Sequence, residues 1–210
     1  MPVERSARVA GIVLAAGMSS RMGGGRNKLL LDFEGESLLR RSVRRAIDAG
    51  LDPVIVVLGH DADRARRELD GLQCAAIVNA DYAQGGVHLS LRAGLSALPD
   101  TAAAALVMLA DMPFVTVDML QTLVRRFRES TAPLVVSTYG EVQAPPTLYA
   151  RPLVAELATA EGPGCGKAVV RRHRDEAVVV SWPAERLDDV DVPDDYDRAR
   201  ARIPVGQDDA

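Results

Sequence analysis

The sequence predicts a single α/β domain built on a mostly parallel sheet with helices on both faces. The chain has 210 residues, 48% of which are hydrophobic, and short β-rich runs alternate with segments of helical spacing. A chain of this length can bury a sizeable core and falls within the usual size of one domain. Ligands of such sheets bind at the carboxyl ends of the strands, so the residues that follow the strands are the candidates for function.

The positions of the strands and helices follow from the pattern of apolar residues. Branched apolar residues dominate the strand runs, whereas the helical segments repeat apolar residues every three or four positions. Strands are expected at residues 9–14, 53–58, 75–78, 106–109, 134–137 and 177–181. Helices are expected at residues 37–49, 61–69, 89–98 and 117–128. The alternation predicts crossover connections between parallel strands.

We expect one domain over residues 1–203, followed by a short acidic tail at 204–210. The opening residues lack the apolar core of a secretory signal. The longest apolar run, 102–110, is about half of the ~20 residues that a membrane-spanning helix requires. Cys74 and Cys165 form no Cys-x-x-Cys pair, which fits a reducing compartment. These features predict a cytoplasmic protein with no membrane partner.

The charge balance argues against nucleic acid as the main partner. Lys and Arg total 25 against 29 Asp and Glu, a net charge of −4, so no global basic field attracts DNA or RNA. The densest basic cluster is RRSVRR, residues 40–45. Helical spacing places its four arginines largely on one side and apolar residues on the other. We expect a solvent-exposed helix face there, with an anion or partner site as the alternative.

A glycine-rich, positively charged loop follows the first predicted strand. The stretch GIVLAAGMSSRMGGGRNKLLL, residues 11–31, places four glycines near Arg21, Arg26 and Lys28. Backbone N–H groups freed by glycine can approach phosphate oxygens, and the cationic side chains neutralise the phosphate charge. The spacing matches neither a P-loop nor the Gly-x-Gly-x-x-Gly of a dinucleotide fold. The loop predicts a polyphosphate site of another kind, with a merely solvated surface loop as the alternative.

Two acidic positions are candidates for a metal site. In ALVMLADMP, residues 105–113, an apolar strand stops at Asp111 and a proline follows, so a carboxylate stands at the carboxyl edge of the sheet. In LDDVDVPDD, residues 187–195, Asp191 lies between two valines and precedes Pro193, which can begin a helix. Mg²⁺ commonly takes one or two carboxylates plus substrate phosphates. Helix capping or solvation is expected for the other acids of this stretch, Asp188, Asp189, Asp194 and Asp195.

Four motifs occur in an order that covers nearly the whole chain. They are LAAGMSSRMGGGRNKLLL, then NADYAQG followed by SLRAGL, then LADMPFV, then DVDVPDD. In this order they resemble the opening signature, middle segment, metal-binding strand end and late Asp-x-Asp-x-Pro stretch of the molybdenum-cofactor nucleotidylyltransferases. The resemblance is closest to the cytidylyltransferase branch of the MobA-like NTP transferases. It implies a Rossmann-like nucleotidyltransferase fold.

The resemblance also implies roles for individual residues. Arg21 and Lys28 would hold the phosphates, and Asp111 and Asp191 would bind Mg²⁺, so these four residues would form the catalytic set. The residues implied to bind the nucleotide are Leu14, Ala15, Ala16, Gly17, Asn79, Asp81 and Ser90. The implied reaction transfers CMP from CTP to molybdenum-molybdopterin and releases pyrophosphate. The implied recipient of the product is an apo-molybdoenzyme of the xanthine dehydrogenase type.

Some stretches depart from the family pattern. VQAPPT, residues 142–147, stands where relatives show Gly-His-Pro, and GPGCG, residues 162–166, stands where they show Gly-Asp-x-Gly. The segment GGVHLSL places His88 where a small residue is usual. These stretches are expected to line the acceptor side of the site.

Two other functions remain open from the sequence. One is an NAD(P)H-dependent reductase similar to those acting on nicotine-derived pigments, which would use the same loop for a pyrophosphate and would need no metal between Asp111 and Asp191. The other is a non-catalytic regulator that binds a nucleotide without releasing pyrophosphate.

Overall fold

The fold is described from a computed structural model, which covers residues 8–22, 27–84, 86–160, 162 and 164–202. The predicted acidic tail at 204–210 lies outside these residues, as do Arg26 and the three glycines before it. The strands are β1 Val9–Ala15, β2 Asp32–Phe33, β3 Glu36–Ser37, β4 Val54–Leu58, β5 Ala75–Val78, β6 Ala104–Leu109, β7 Leu134–Tyr139, β8 Val142–Ala150 and β9 Ala177–Trp182. The helices are α1 Leu38–Asp48, α2 Ala62–Glu68, α3 Val87–Ser96, α4 Val117–Glu129, α5 Arg151–Thr159, α6 Cys165–Arg172 and α7 Pro193–Arg202.

Seven of the strands form one sheet in the order β5-β4-β1-β6-β8-β7-β9. Neighbouring strands are parallel except at β8, which runs antiparallel to both β6 and β7. The remaining two, β2 and β3, form a short antiparallel hairpin. This single α/β domain with a mostly parallel sheet confirms the predicted fold class. Among the described residues, none of the helices has the length and apolar character needed to cross a membrane.

Helices cover both faces of the sheet because the central strands are apolar on both sides. All residues of β1 are buried. Val9 and Val13 of β1 share a core with α1 and α4. Ile12 and Leu14, which point the other way, share a second core with α3, α5 and α6. The carboxyl end of β1 is therefore fixed from both sides, and so is the start of the loop that follows it.

The apolar pattern did not predict the strand β8, which lies inside the sheet between β6 and β7. Residues 142–150 contain two consecutive prolines, which argue against a central strand because proline cannot donate to the hydrogen-bond ladder. The structure accommodates them beside a register shift between Val136 and Ser137 of β7. There the Ser137 hydroxyl donates to the Pro146 carbonyl at 2.7 Å. The departure VQAPPT is therefore part of the sheet.

The arginine cluster of α1 differs from the expected solvent-exposed face. Arg45 is buried, with 6% of its surface exposed, and its guanidinium donates to the carbonyls of Pro113 and Val115 at 2.7 Å each. The Ser42 hydroxyl, one turn earlier, donates to the Ala110 carbonyl at 3.0 Å. Arginine can reach across a helix face to satisfy backbone carbonyls, which a periodicity argument based on charge does not anticipate. Through these bonds α1 holds the loop on both sides of Asp111.

Substituting Arg45 with methionine is expected to destabilise the protein by about 2–4 kcal/mol, because two buried carbonyls lose their charged donor. Urea unfolding followed by circular dichroism measures the effect. Arg44→Met is the matched control, since the Arg44 side chain is 47% exposed and pairs with Glu36; its expected cost is below about 1 kcal/mol. Equal losses for the two variants would show that the carbonyl bonds of Arg45 contribute little.

Candidate functional site

Two connected clefts open at the carboxyl ends of β1 and β6. Their volumes are about 220 Å³ and 270 Å³. The two clefts have five lining residues in common, which are Leu14, Gly17, Met18, Val87 and Asp111. The larger cleft has several charged side chains in its wall, whereas Asp111 is the one charged residue, of those the structure describes, that lines the smaller cleft, where apolar residues predominate. The carboxyl edge of the sheet therefore offers one compartment for a charged group beside one for a less polar group.

Four charged side chains form the wall of the larger cleft. Lys28 Nζ donates to Asp111 Oδ2 at 2.6 Å and to Asp191 Oδ1 at 2.7 Å. Arg21 Nη1 lies 2.7 Å from Asp191 Oδ2. The Lys28 side chain is 10% exposed, whereas that of Arg21 is 68% exposed. The structure thus brings together the four residues of the predicted catalytic set, which we call the charge cluster.

Hydrogen bonds of the main chain hold Asp191 close to Asp111. The Val190 N–H donates to the Asp111 carbonyl at 3.0 Å, and the Val190 side chain is fully buried with Phe33 and Phe114. The Asp195 carboxylate accepts from the N–H of Asp191 at 3.0 Å and from the N–H of Val192 at 2.9 Å. Asp195 therefore acts as the predicted capping acid at the start of α7, and it fixes the backbone that carries Asp191.

Local polar contacts place Lys28. It begins a single 3-10 turn capped by Asn27, whose side chain accepts from the Leu29 N–H at 3.1 Å. The Lys28 N–H donates to Ser19 Oγ at 3.1 Å. The Asn27 amide also donates to the His60 carbonyl, which follows β4, at 3.3 Å. Ser19 and Asn27 were not predicted as functional residues, although their position on either side of the glycines is the signal that could have indicated them.

Burial and the charge cluster together shift the pKa values of Lys28, Asp191 and the nearby Asp189. Burial alone would lower the pKa of Lys28, but the charges of Asp111 and Asp191 and its hydrogen bonds to both raise that pKa above its usual value. Burial alone would raise the pKa of Asp191, but the hydrogen bond and charge of Lys28 and the charge of Arg21 lower it overall. Burial raises the pKa of Asp189, and the charges of Asp191 and Asp111 raise it further. Around neutral pH, Lys28 and Asp191 are therefore an ion pair.

The two carboxylates of the charge cluster fit a divalent cation. Among the described residues, Asp111 Oδ1 is buried and has no hydrogen-bond partner, which leaves a hard oxygen ligand available. No group of three or more His, Cys, Asp or Glu side chains that could hold a metal occurs in the described part of the chain. A metal held by Asp111 and Asp191 would therefore take its further oxygens from water or a substrate, as is common for Mg²⁺ with phosphates.

The predicted nucleotide-binding residues divide into two groups. Those that line one or both clefts are Leu14, Ala15, Ala16, Gly17 and Ser90. Asn79 is buried behind Ser90 and donates to its hydroxyl at 3.1 Å. The Asp81 carboxylate is at the surface, where it accepts from the Gln84 amide at 2.6 Å. In this arrangement Asn79 holds Ser90 in place, and Asp81 lies further from the clefts.

A close backbone contact at Gly59 supports the wall of the smaller cleft. A Cβ added to Gly59 would lie 2.7 Å from the Ala16 Cβ and 2.8 Å from the Tyr82 Cβ, distances that no real side chain tolerates. Gly59 therefore allows the end of β4, the loop after β1 and the turn that carries Tyr82 to meet at one point. Ala16 and Tyr82 both line the cleft, so this contact fixes its width.

Comparison with known proteins decides the family. A model of the MobA-like NTP transferase domain matches residues 11–178, which is most of the chain. The chain belongs to the MobA-like NTP transferase family. This confirms the family that its motifs predicted.

Two relatives of this MobA-like NTP transferase differ in how much of their own length the match covers. The purine catabolism protein PucB of Bacillus subtilis is 30% identical over 208 residues, which cover 93% of this chain and 98% of PucB. The bifunctional protein GlmU of Corynebacterium aurimucosum is 34% identical over 154 residues, which cover 70% of this chain. The match covers 31% of GlmU, so the region shared with this chain is about a third of that relative's length.

Solved structures share the whole fold of this MobA-like NTP transferase. Rv0371c from Mycobacterium tuberculosis H37Rv aligns with a TM-score of 0.80 at 27% identity, covering 93% of this chain and 99% of that one. Rv0371c has also been solved as a complex with manganese, which aligns with a TM-score of 0.77 at 25% identity, covering 94% of this chain and 100% of that one. The similarity therefore extends beyond residue 178, over the segment that carries Asp191.

Proposed function

We propose that this MobA-like NTP transferase moves CMP from CTP to a phosphate of molybdenum-molybdopterin and releases pyrophosphate. The observation that carries the proposal is the charge cluster in the wall of the larger cleft, beside the smaller, less polar cleft. Two carboxylates suit a divalent cation, and two cations suit the phosphates of a nucleoside triphosphate. The neighbouring cleft is the compartment for the nucleoside.

In the proposed reaction an acceptor phosphate oxygen attacks the α-phosphorus of the triphosphate in line. The bond from the α-phosphorus to the bridging oxygen breaks, and pyrophosphate leaves with that electron pair. Lys28 and Arg21 offset the charge that grows on the pyrophosphate. Asp111 and Asp191 would hold Mg²⁺, which when bound supplies neutralisation and alignment of the phosphates. No covalent intermediate with the protein is required, so the chain acts by positioning and charge stabilisation.

The acceptor assignment rests on the resemblance of the motifs and on one relative. PucB covers nearly the whole chain, and its name places it in purine catabolism. Xanthine dehydrogenase-type molybdoenzymes oxidise purines, so such an apo-enzyme is the recipient that we propose for the product.

We expect a preference for CTP over GTP that depends on Ala16. The Ala16 methyl is held against Gly59 and forms part of the wall of the smaller cleft, which narrows the space for a purine. One methyl group in a tight site is worth ~1–3 kcal/mol, or about 10- to 200-fold in specificity. The kcat/KM values for CTP and GTP in the wild type and in Ala16→Gly measure it. A wild type that prefers GTP, or a ratio that Ala16→Gly leaves unchanged, would contradict this explanation.

Pyrophosphate release from each of the four nucleoside triphosphates, with and without molybdopterin and Mg²⁺, tests the proposed function. Release that requires CTP, molybdopterin and Mg²⁺ together is the expected result. Metal-independent oxidation of NAD(P)H would instead favour the reductase alternative. Tight CTP binding without pyrophosphate release, in the presence of molybdopterin, would favour a regulator.

A further inference from the structure

Lys28 lies between the two carboxylates that the proposed function assigns to the metal. Its ammonium contacts Asp111 Oδ2 at 2.6 Å and Asp191 Oδ1 at 2.7 Å, and only 10% of the side chain is exposed. Hydrogen bonds of this length between charged groups are strong. Lys28 therefore neutralises the same pair of side chains that a divalent cation would use.

Both the available space and the like charges oppose simultaneous binding of the Lys28 ammonium and a metal ion between the two carboxylates. Mg²⁺ binds carboxylate oxygens at about 2.0–2.1 Å, so a cation held by both Asp111 and Asp191 would lie close to the Lys28 ammonium. Repulsion between like charges at such separations is large where water is partly excluded. Lys28 and Arg21 contact both oxygens of Asp191, and Lys28 contacts Asp111 Oδ2, so among the described residues Asp111 Oδ1 alone is left for a metal. A metal that bridges the two carboxylates must therefore take the place of the ammonium on Asp191.

The surroundings let the Lys28 side chain move while its backbone stays fixed. The Lys28 N–H is bound to Ser19 Oγ, and Asn27 caps the turn, so the main chain is anchored. The four-carbon stem can swing to another position within the cleft. Arg21 contacts the other oxygen of Asp191, so this carboxylate keeps a counter-charge when Lys28 leaves.

We infer that Lys28 and the divalent cation compete for Asp111 and Asp191, and that metal binding releases the Lys28 ammonium to the nucleotide phosphates. The inference rests on the proposed function. It adds an order of events, in which metal binding frees the Lys28 ammonium before it contacts the nucleotide phosphates. Without nucleotide, the metal must displace the ammonium and binds weakly. With nucleotide, the released ammonium has a new anionic partner, so metal and nucleotide strengthen each other's binding.

Binding of Mn²⁺ to the nucleotide-free protein tests the competition, with free Mn²⁺ measured by electron paramagnetic resonance. Lys28→Met removes the competing charge and is expected to tighten Mn²⁺ binding about tenfold or more. The control is Lys167→Met, which removes the other lysine of the chain, an exposed residue of α6; it should bind like the wild type. Equal or weaker binding by a natively folded Lys28→Met would overturn the inference, because Lys28 would then support the metal site.

A second measurement needs no substitution. Brief acetylation of the wild type with a limiting amine reagent, read by mass spectrometry, reports the accessibility of Lys28, and Lys167 serves as an internal reference. Added Mn²⁺ is expected to raise acetylation of Lys28 several-fold and to leave Lys167 unchanged. If the protein releases pyrophosphate but Lys28 reactivity does not change with Mn²⁺, the competition is wrong and the proposed function stands. If Mn²⁺ binding and pyrophosphate release are both absent, the two proposals fail together.

Discussion

Replacing Asp111 or Asp191 with asparagine is expected to lower nucleotidyl transfer roughly a thousandfold, because a metal clamp worth ~4 kcal/mol at the transition state is lost. Asparagine keeps the volume of the side chain and removes the charge that attracts both the metal and Lys28. Single-turnover pyrophosphate release at saturating CTP and Mg²⁺ measures the loss of the chemical step. Circular dichroism and thermal unfolding establish that each variant is folded.

Asp194→Asn is the control for this prediction. Asp194 lies in the same acidic stretch as Asp191 and is exposed in the first turn of α7, so its substitution changes the net charge equally without touching the cluster. Its turnover should stay within about twofold of the wild type, as for an exposed residue away from the site. Near-wild-type turnover in Asp111→Asn or Asp191→Asn would remove that residue from the proposed catalytic set.

The second large effect is expected for Lys28→Ala, which should lower kcat/KM for CTP about a hundredfold through weaker phosphate binding and slower turnover. Lys28 is nearly buried and contacts both carboxylates, so its ammonium lies where Arg21, which contacts only Asp191, does not reach. Arg21→Ala should have a smaller effect, because the Arg21 side chain is mostly exposed and contacts Asp191 alone within the charge cluster. Steady-state kinetics with CTP varied at fixed acceptor give the values.

Arg26→Ala completes this series. Arg26 belongs to the same loop in sequence but not to the family pattern, and it is expected to cost less than threefold in kcat/KM. Equal losses for Lys28→Ala, Arg21→Ala and Arg26→Ala would mean that the loop acts only through its summed charge. Such a result would contradict specific roles for Lys28 and Arg21.

The strands were predictable wherever burial on both faces demands an unbroken apolar run. The predicted strands at 9–14 and 53–58 differ from the fully buried β1 and β4 by one residue at one end. The predicted strand at 75–78 coincides with β5, which lies at the sheet edge and is at most half-buried, so its apolar run and not its burial indicated it. The strand β8 was not predictable in this way, because its prolines are tolerated only through a register shift in its neighbour β7. That accommodation depends on contacts between strands and has no local signature in the sequence.

The candidate site was predictable in its charged groups and less so in its supports. Asp111 follows from the rule that ligands bind at the carboxyl ends of parallel strands. The approach of Asp191 depends on the hydrogen bond from the Val190 N–H to the Asp111 carbonyl, which joins segments far apart in sequence. The burial of Arg45 under Pro113 and Val115 likewise depends on how α1 packs. Such supports follow from tertiary packing, and a single sequence does not reveal them.

The late position of Asp191 has a consequence for synthesis on the ribosome. Arg21, Lys28 and Asp111 leave the exit tunnel well before Asp191, and domains generally fold as units while the chain is still being made. The region that matches the family model ends at residue 178, so a nascent chain that includes all of it still lacks both Asp191 and the Val190 anchor. A product terminated there would keep the loop that follows β1 and one carboxylate but not the pair. Under the proposed mechanism, a nascent chain gains the complete charge cluster only after Asp191 has been added, and a chain that ends before it would not catalyse the transfer.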